Sequence, residues 1–372
     1  MPQNGIREIV SNNNPDMTRK TAFRLTILII PISLFVILIL FGSFYTWWNS
    51  ASPERTCASC HEIGKSVNML AQSSHRKLSC KECHGTALSN GFHSLKEKGM
   101  MVVHHAGTKI VEDIKMNEDQ ILAVMENCRR CHTSEYAHWS SGGHSARYCN
   151  ILLNKKHNET EQINSDCLRC HGMFSDLPVQ ELVEPIDIKG PWKLKIPSMN
   201  DKPVIPCMTC HQIHNTGCPK VNPDYSNPKN VFYSRKDSTA NVSFYYRPDK
   251  SGISVENLPK LVLWEGKRAV KVSDDLMTRN CIQCHSPNSP HQAGTSDDRT
   301  PRGVHEGIGC TACHETHSNE ARQSCIKCHP AISNCKLDVT KMNTSFNNIK
   351  STNNIHWVAC TDCHKEKNFH RK

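Results

Sequence analysis

The pentapeptide Cys-x-x-Cys-His occurs nine times in this chain of 372 residues. The nine pairs use 18 of the 21 cysteines, and His follows the second Cys each time. Paired cysteines at this spacing also bind zinc, but a zinc site does not require His at that position. Because His makes up only 22 of the 372 residues, a chance origin is excluded. The pattern predicts nine covalently attached haem c groups.

Each motif supplies two thiols for the porphyrin edge and an adjacent imidazole as proximal ligand of the iron. The attachment cysteines are Cys57, Cys60, Cys80, Cys83, Cys128, Cys131, Cys167, Cys170, Cys207, Cys210, Cys281, Cys284, Cys310, Cys313, Cys325, Cys328, Cys360 and Cys363. The proximal histidines are His61, His84, His132, His171, His211, His285, His314, His329 and His364. We number the motifs one to nine in this order.

The composition limits the kind of core that the chain can build. Only 37% of the residues are hydrophobic, and many of them lie in one N-terminal run. We therefore expect a mainly α fold with much irregular structure, in which the porphyrins supply the core. The motifs keep no constant repeat length, which argues against a solenoid.

The formal net charge of +10 does not indicate nucleic-acid binding. An oxidised haem carries two propionates and one net positive charge at the iron, so each haem contributes about −1. Nine haems would bring the total close to neutral. Lys and Arg side chains are expected to pair with propionates, and no nucleic-acid partner is predicted.

Residues 25–48 form an uncharged run that is long enough to span a bilayer. The run exceeds the apolar region of a signal peptide and favours a retained anchor, with a cleaved signal as the alternative. Basic residues before the run predict a cytoplasmic N-terminus, and aromatic residues mark its far edge. These residues are Arg19, Lys20 and Arg24, and Tyr45, Trp47 and Trp48. The bulk of the chain is then expected in the periplasm, where haem c is attached.

The motif spacing suggests six regions. These are a cytoplasmic tail (1–24), an anchor (25–48), a dihaem region (49–116), a trihaem region (117–218), an insertion without motifs (219–280) and a tetrahaem region (281–372). A helix is predicted from about Ser89 to Lys115. Short strands are predicted at Asn241–Tyr246 and Ala269–Val272. The insertion is either a small β unit or a long surface excursion.

Thirteen histidines lie outside the motifs, enough to give every iron a second imidazole. Six-coordinate iron suits a haem that only passes electrons. Three histidines are separated from the next motif by three or four residues, two others stand three positions after a motif, and four more complete the preferred set of distal ligands. The set is His75, His214, His305, His317 and His356, with His104, His138, His144 and His157. Weaker candidates are His93, His105, His291 and His370, and the unpaired cysteines are Cys149, Cys218 and Cys335.

The anchor followed by CASCHEIGKSVNMLAQSSHRKLSCKECHG resembles the NapC/NirT/NrfH family of membrane-anchored cytochromes. Two motifs 23 residues apart, with Ser-Ser-His before the second, carry the likeness over residues 25–110. Later segments such as GVHEGIGCTACHETHS resemble general multihaem modules. The resemblance implies menaquinol oxidation beside the first haem.

Members of this family commonly carry Met two residues after the first proximal His. Here Ile63 stands at that position and offers no lone pair. Either Met69 replaces it as a ligand, or the first haem lacks a distal ligand from the protein. The resemblance also implies a lysine near the quinol, for which Lys96 and Lys98 are candidates.

The leading hypothesis is a quinol dehydrogenase of anaerobic respiration that passes electrons from the quinone pool to another redox protein or terminal reductase. The alternative is a periplasmic reductase of a small nitrogen or sulfur oxyanion, which would need a five-coordinate haem in a pocket. A haem-based structural or sensor protein is the third class.

Overall fold

The computed structural model describes residues 15–85, 90–107, 115–214, 242–285, 294–295 and 305–317. Motifs one to seven lie within these ranges. Motifs eight and nine and the predicted ligand His356 lie outside them, as do His291, His370, Cys218 and Cys335.

The first helix, α1, runs from Pro15 to Ser50 and contains Pro31. Its segment Leu25–Ser50 is long and apolar enough to cross a membrane, and none of its most apolar stretch is buried by the rest of the protein. Exposed apolar side chains along this length fit a single-pass membrane anchor. Trp48 departs from the predicted aromatic belt, because its side chain is only 4% exposed and packs inside the protein.

The remaining helices are short, apart from one long helix after the second motif. In chain order they are α2 (Pro53–Thr56), α3 (Gly64–Ala71), α4 (Cys80–Cys83), α5 (Asn90–Gly107), α6 (Glu118–Arg129), α7 (Thr133–Ser141), α8 (Tyr148–Leu152), α9 (Lys155–Asn158), α10 (Val179–Leu182) and α11 (Leu276–His285). The predicted helix after motif two corresponds to α5, and residues 108–114 lie outside the described ranges.

Three two-stranded antiparallel sheets occur in the described part of the chain. Their strands are β1 (Val183–Glu184) with β2 (Lys193–Leu194), β3 (Ser243–Tyr246) with β4 (Ser251–Ser254), and β5 (Leu263–Glu265) with β6 (Arg268–Val270). The last two hairpins lie where the sequence predicted short strands. The mainly α, largely irregular fold class with small strand pairs is confirmed.

The two larger of three apolar clusters in the described residues supplement the haem-packed core that the composition predicted. One surrounds Tyr148, Leu168 and Trp192, between motifs three and five. The other joins Phe174 to Tyr245 of β3, whose ring centroids lie 4.1 Å apart. The insertion therefore packs against the motif-bearing part of the chain through its first hairpin.

Candidate haem sites

Motifs two to five and motif seven each fold into one helical turn. The backbone N–H of the proximal His donates to the carbonyl of the first Cys, as in His84 to Cys80 at 2.9 Å and His314 to Cys310 at 2.9 Å. The same bond occurs for His132, His171 and His211. A turn of this kind brings residues three and four apart onto one side. Both thiols and the imidazole can therefore serve one porphyrin.

Five proximal histidines face a second histidine at nearly constant distance. The ring centroids lie 5.9 Å apart for His61 and His105, and 6.0 Å apart for His75 with His132, His84 with His214, His144 with His285 and His211 with His317. The interplanar angles vary from 19° to 75°.

The constant distance has a metal-ligand explanation. Two metal–nitrogen bonds of about 2 Å, each extended by about 1 Å from the nitrogen to the ring centre, separate two imidazole centroids by about 6 Å. Direct ring packing would let the distance vary with the angle between the rings. The five pairs therefore fit an iron between two imidazoles, and these residues are suited to hold haem.

Burial keeps several of these imidazoles neutral, which is the form that binds a metal. Desolvation lowers the pKa of His144 to about 4, with His285 adding to the effect. Desolvation also lowers the pKa of His211 to about 4, assisted by His317. Desolvation is also the first cause that lowers the pKa values of His285 and His314.

The structure sorts the predicted distal ligands into three groups. His75, His144, His214 and His317 each face a proximal histidine. His138 is exposed on α7, and among the described residues no proximal histidine faces it. His305 lies in the turn before motif seven, while only the backbone positions of His104 on α5 and His157 on α9 are described. The assignment of ligands to irons stays a prediction.

His105, which faces His61, was ranked below its neighbour His104 in the sequence. Helical geometry favours His105, because residues 7 and 11 positions apart lie on one helix face. Counting back from His105, these positions are Lys98 and Ser94. Ser94 is buried and accepts a hydrogen bond from Trp48 Nε1 at 3.0 Å. This face of α5 is therefore turned toward the anchor.

Cysteines of different motifs also meet. The Sγ atoms of Cys57 and Cys80 are hydrogen-bonded, which lowers the pKa of Cys57 to about 6. In the same way Cys284 lowers the pKa of Cys170 to about 7. Cys281 lowers the pKa of Cys310. These pKa values apply to the free thiols, because haem attachment converts the thiols to thioethers. The contacts themselves show that motif one adjoins motif two, that motif four adjoins motif six, and that motif six adjoins motif seven.

The junction of anchor and first motif is built around Trp48. Lys81 and Lys98 lie over its ring, with their Nζ atoms 5.3 Å and 5.5 Å from the centroid. Lys98 Nζ also donates to Ser59 Oγ, inside the first motif, at 2.7 Å. Burial lowers the pKa of Lys81, a residue that the sequence analysis did not single out.

The two lysines predicted at the quinol site differ in position. Lys98 reaches the first motif, whereas Lys96 is exposed on α5. A single buried carboxylate, Glu62, lies beside the first proximal histidine, and its pKa is lowered first by a backbone hydrogen bond. Basic and acidic groups therefore both lie where the anchor meets the first haem motif.

An apolar anchor, motif turns suited to haem c attachment and imidazole pairs at iron-spanning distance define a membrane-anchored multihaem electron-transfer cytochrome. Comparison with known families gives two matches. Residues 18–178 match the NapC/NirT cytochrome c family, N-terminal region, and residues 254–315 match the cytochrome c554 and c-prime family. The match over residues 18–178 confirms the resemblance to the NapC/NirT family. No curated protein and no solved structure gave a match.

The family match extends beyond the segment that carried the resemblance. It continues past residue 116, the predicted end of the dihaem region, and includes motifs three and four. The later match covers motifs six and seven and the hairpin of β5 and β6. The division into regions stays a prediction.

Proposed function

We propose that this chain is a nonahaem cytochrome c that takes electrons from menaquinol at the membrane surface and relays them to a periplasmic or outer acceptor. Bound haem c supplies iron that accepts and releases single electrons. The acceptor is expected to be another redox protein or a terminal reductase. The basic residues before the span support a cytoplasmic N-terminus and a periplasmic location for residues 49–372.

The observation that carries the proposal is the contact of Lys98 with both the end of the anchor and the first motif. Its ammonium group lies over Trp48 and donates to Ser59. A quinol in the membrane can approach this junction without leaving the apolar layer. A lysine there can donate a hydrogen bond to a quinol oxygen and stabilise negative charge that develops as the proton leaves.

The relay is supported by the imidazole pairs and by the contacts between motifs. Iron with two imidazoles has no open position for a substrate, so its task is electron transfer. Contacts between Cys57 and Cys80, and between His84 and His214, bring motif two against motifs one and five. A continuous series of neighbouring motifs therefore leads away from the anchor.

The test is a comparison of Lys98→Met with Lys96→Met. Both changes replace a lysine of α5, but only Lys98 contacts the first motif. We expect Lys98→Met to lower the rate of menaquinol oxidation about tenfold or more, because a hydrogen bond from a charged group is lost. Lys96→Met should retain the parental rate.

Reduction by dithionite serves as the control, since it bypasses the quinol site and should be unchanged in both variants. Equal menaquinol oxidation by Lys98→Met and the parent chain would place electron entry elsewhere. Failure of the parent to oxidise menaquinol, with reduction of nitrite, hydroxylamine or a sulfur oxyanion instead, would favour the periplasmic reductase.

A further inference from the structure

We infer that His105 is the sixth ligand of the iron at motif one and that Glu62 is the residue that positions it. The inference deepens the proposed function, because it describes the haem at which quinol electrons would enter. It does not depend on the electron donor, since a ligand can be identified by spectroscopy alone.

Three side chains make the site. His61, Glu62 and His105 place one potential ligand atom each within 4.8 Å of one another. The rings of His61 and His105 have the separation found in the four other imidazole pairs, 5.9 Å against 6.0 Å. The same distance in the same kind of motif indicates the same arrangement around the iron.

The position of α5 is fixed by contacts on the face that carries His105. Trp48 donates to Ser94 at 3.0 Å, and Lys98 donates to Ser59 at 2.7 Å. Both contacts connect α5 to the segment that leads into motif one. His105 follows Lys98 by two helical turns on that face, so its approach to His61 follows from the packing of the helix.

Glu62 lies against the rings of both histidines of this site. The residue is only 8% exposed, and its Oε1 lies 2.5 Å from His105 Nδ1 and 3.4 Å from His61 Nε2. A carboxylate beside a metal-ligating imidazole fixes the orientation of the ring. Glu62 therefore positions the ring of His105 opposite His61.

The site differs from the two alternatives that the sequence left open. With His105 as ligand, neither Met69 nor an empty position is needed at the first iron. The first haem is then closed to small ligands. A quinol would have to pass its electrons to the porphyrin edge and not to the iron.

The experiment is spectroscopy of the oxidised, haem-loaded protein carrying His105→Gly. Electron paramagnetic resonance and magnetic circular dichroism should report the loss of one low-spin haem and the gain of one high-spin haem. Added imidazole should restore the low-spin signal by occupying the space. Val103→Gly is the matched control: it places glycine in the same helix at a side chain that is 73% exposed, and its haem spectrum should equal that of the parent.

Two further variants separate coordination from folding. His105→Met should yield a low-spin haem with the sulfur-to-iron charge-transfer band of His/Met coordination. Glu62→Gln should keep the haem low-spin but raise the potential of one haem, because a negative charge at the ligand is lost. A parent protein whose first haem is high-spin, or His105→Gly and His105→Met spectra identical to the parent, would overturn the inference. Menaquinol oxidation is measured separately, so its absence would affect the proposed function alone.

Discussion

At the scale of single residues, burial changes the pKa values of side chains around the motifs. The imidazoles of His144 and His211 are partly buried, and desolvation is the largest cause that lowers their pKa values to about 4. They stay neutral at physiological pH and present a free lone pair. Burial acts differently on Glu118, where it raises the carboxyl pKa while Tyr148 and Lys202 oppose the shift.

Tyr148 is the clearest residue for a stability test, because its side chain is fully buried. Its hydroxyl donates to Glu118 Oε1 at 2.7 Å. We expect Tyr148→Phe to lower the free energy of unfolding by about 2 kcal/mol, since a buried hydrogen bond to an ionisable group is lost. Chemical denaturation of the haem-loaded protein measures the change.

The control for Tyr148→Phe is Tyr246→Phe, at the solvent-facing end of β3. Removing this hydroxyl should change stability by less than about 0.5 kcal/mol. Equal losses in both variants would show that the buried contact with Glu118 does not stabilise the fold.

At the scale of elements, short helices carry the motifs, and hydrogen bonds at the end of a helix can connect two motifs. The helix α11 contains motif six and begins after Asp275. The Asp275 carboxylate accepts hydrogen bonds from Thr278 N at 3.0 Å and Thr278 Oγ1 at 3.2 Å. Thr278 Oγ1 in turn accepts the N–H of Cys310 at 2.9 Å. The hydrogen bonds at the N-terminus of α11 therefore hold motif seven beside motif six.

Asp275→Ala is expected to lower the free energy of unfolding by about 1–2 kcal/mol, because it removes the capping carboxylate of α11. Asp274→Ala changes the adjacent carboxylate, which forms an exposed ion pair with Lys260, and should cost less than about 0.5 kcal/mol. Thermal unfolding of the two variants provides the comparison. A smaller loss for Asp275→Ala than for Asp274→Ala would contradict the capping role.

The elements also explain which features the sequence could predict. The motif turns, α1, α5 and the hairpins arise from local patterns, such as Cys-x-x-Cys-His or the apolar run of residues 25–48, and each was predicted near its observed place. His105 was ranked as a weaker candidate and Lys81 was not singled out, because their roles depend on how the chain packs around Trp48. The pairing of histidines with motifs could not be predicted from local patterns either, because paired residues such as His144 and His285 are far apart in the sequence.

At the scale of the whole molecule, contacts between motifs do not follow their order in the chain. His75, just before motif two, faces His132 of motif three, and His317, just after motif seven, faces His211 of motif five. Motif six contacts two other motifs, because Cys284 meets motif four and Cys281 meets motif seven. Motif six therefore joins parts of the chain that lie far apart in sequence.

This arrangement predicts that a change at motif six affects a haem that precedes it in the sequence. His144 faces His285, the proximal histidine of motif six, at 6.0 Å. Because motif six contacts motifs four and seven, removing His144 alters the iron site through which electrons would reach motif four. In His144→Ala, we expect rapid mixing with menaquinol to reduce fewer haems in the fast phase, with those of motifs four and six reduced slowly.

Ser140→Ala provides the control, because Ser140 is an exposed residue of α7, four positions before His144. Its fast phase should match that of the parent chain, while dithionite should eventually reduce every haem in both variants. An undiminished fast phase in His144→Ala would mean that electrons reach motif four without motif six. The contact between Cys170 and Cys284 would then have only a structural role. A loss confined to a single haem would instead mean that motif six ends a branch, with motif four supplied from another neighbour.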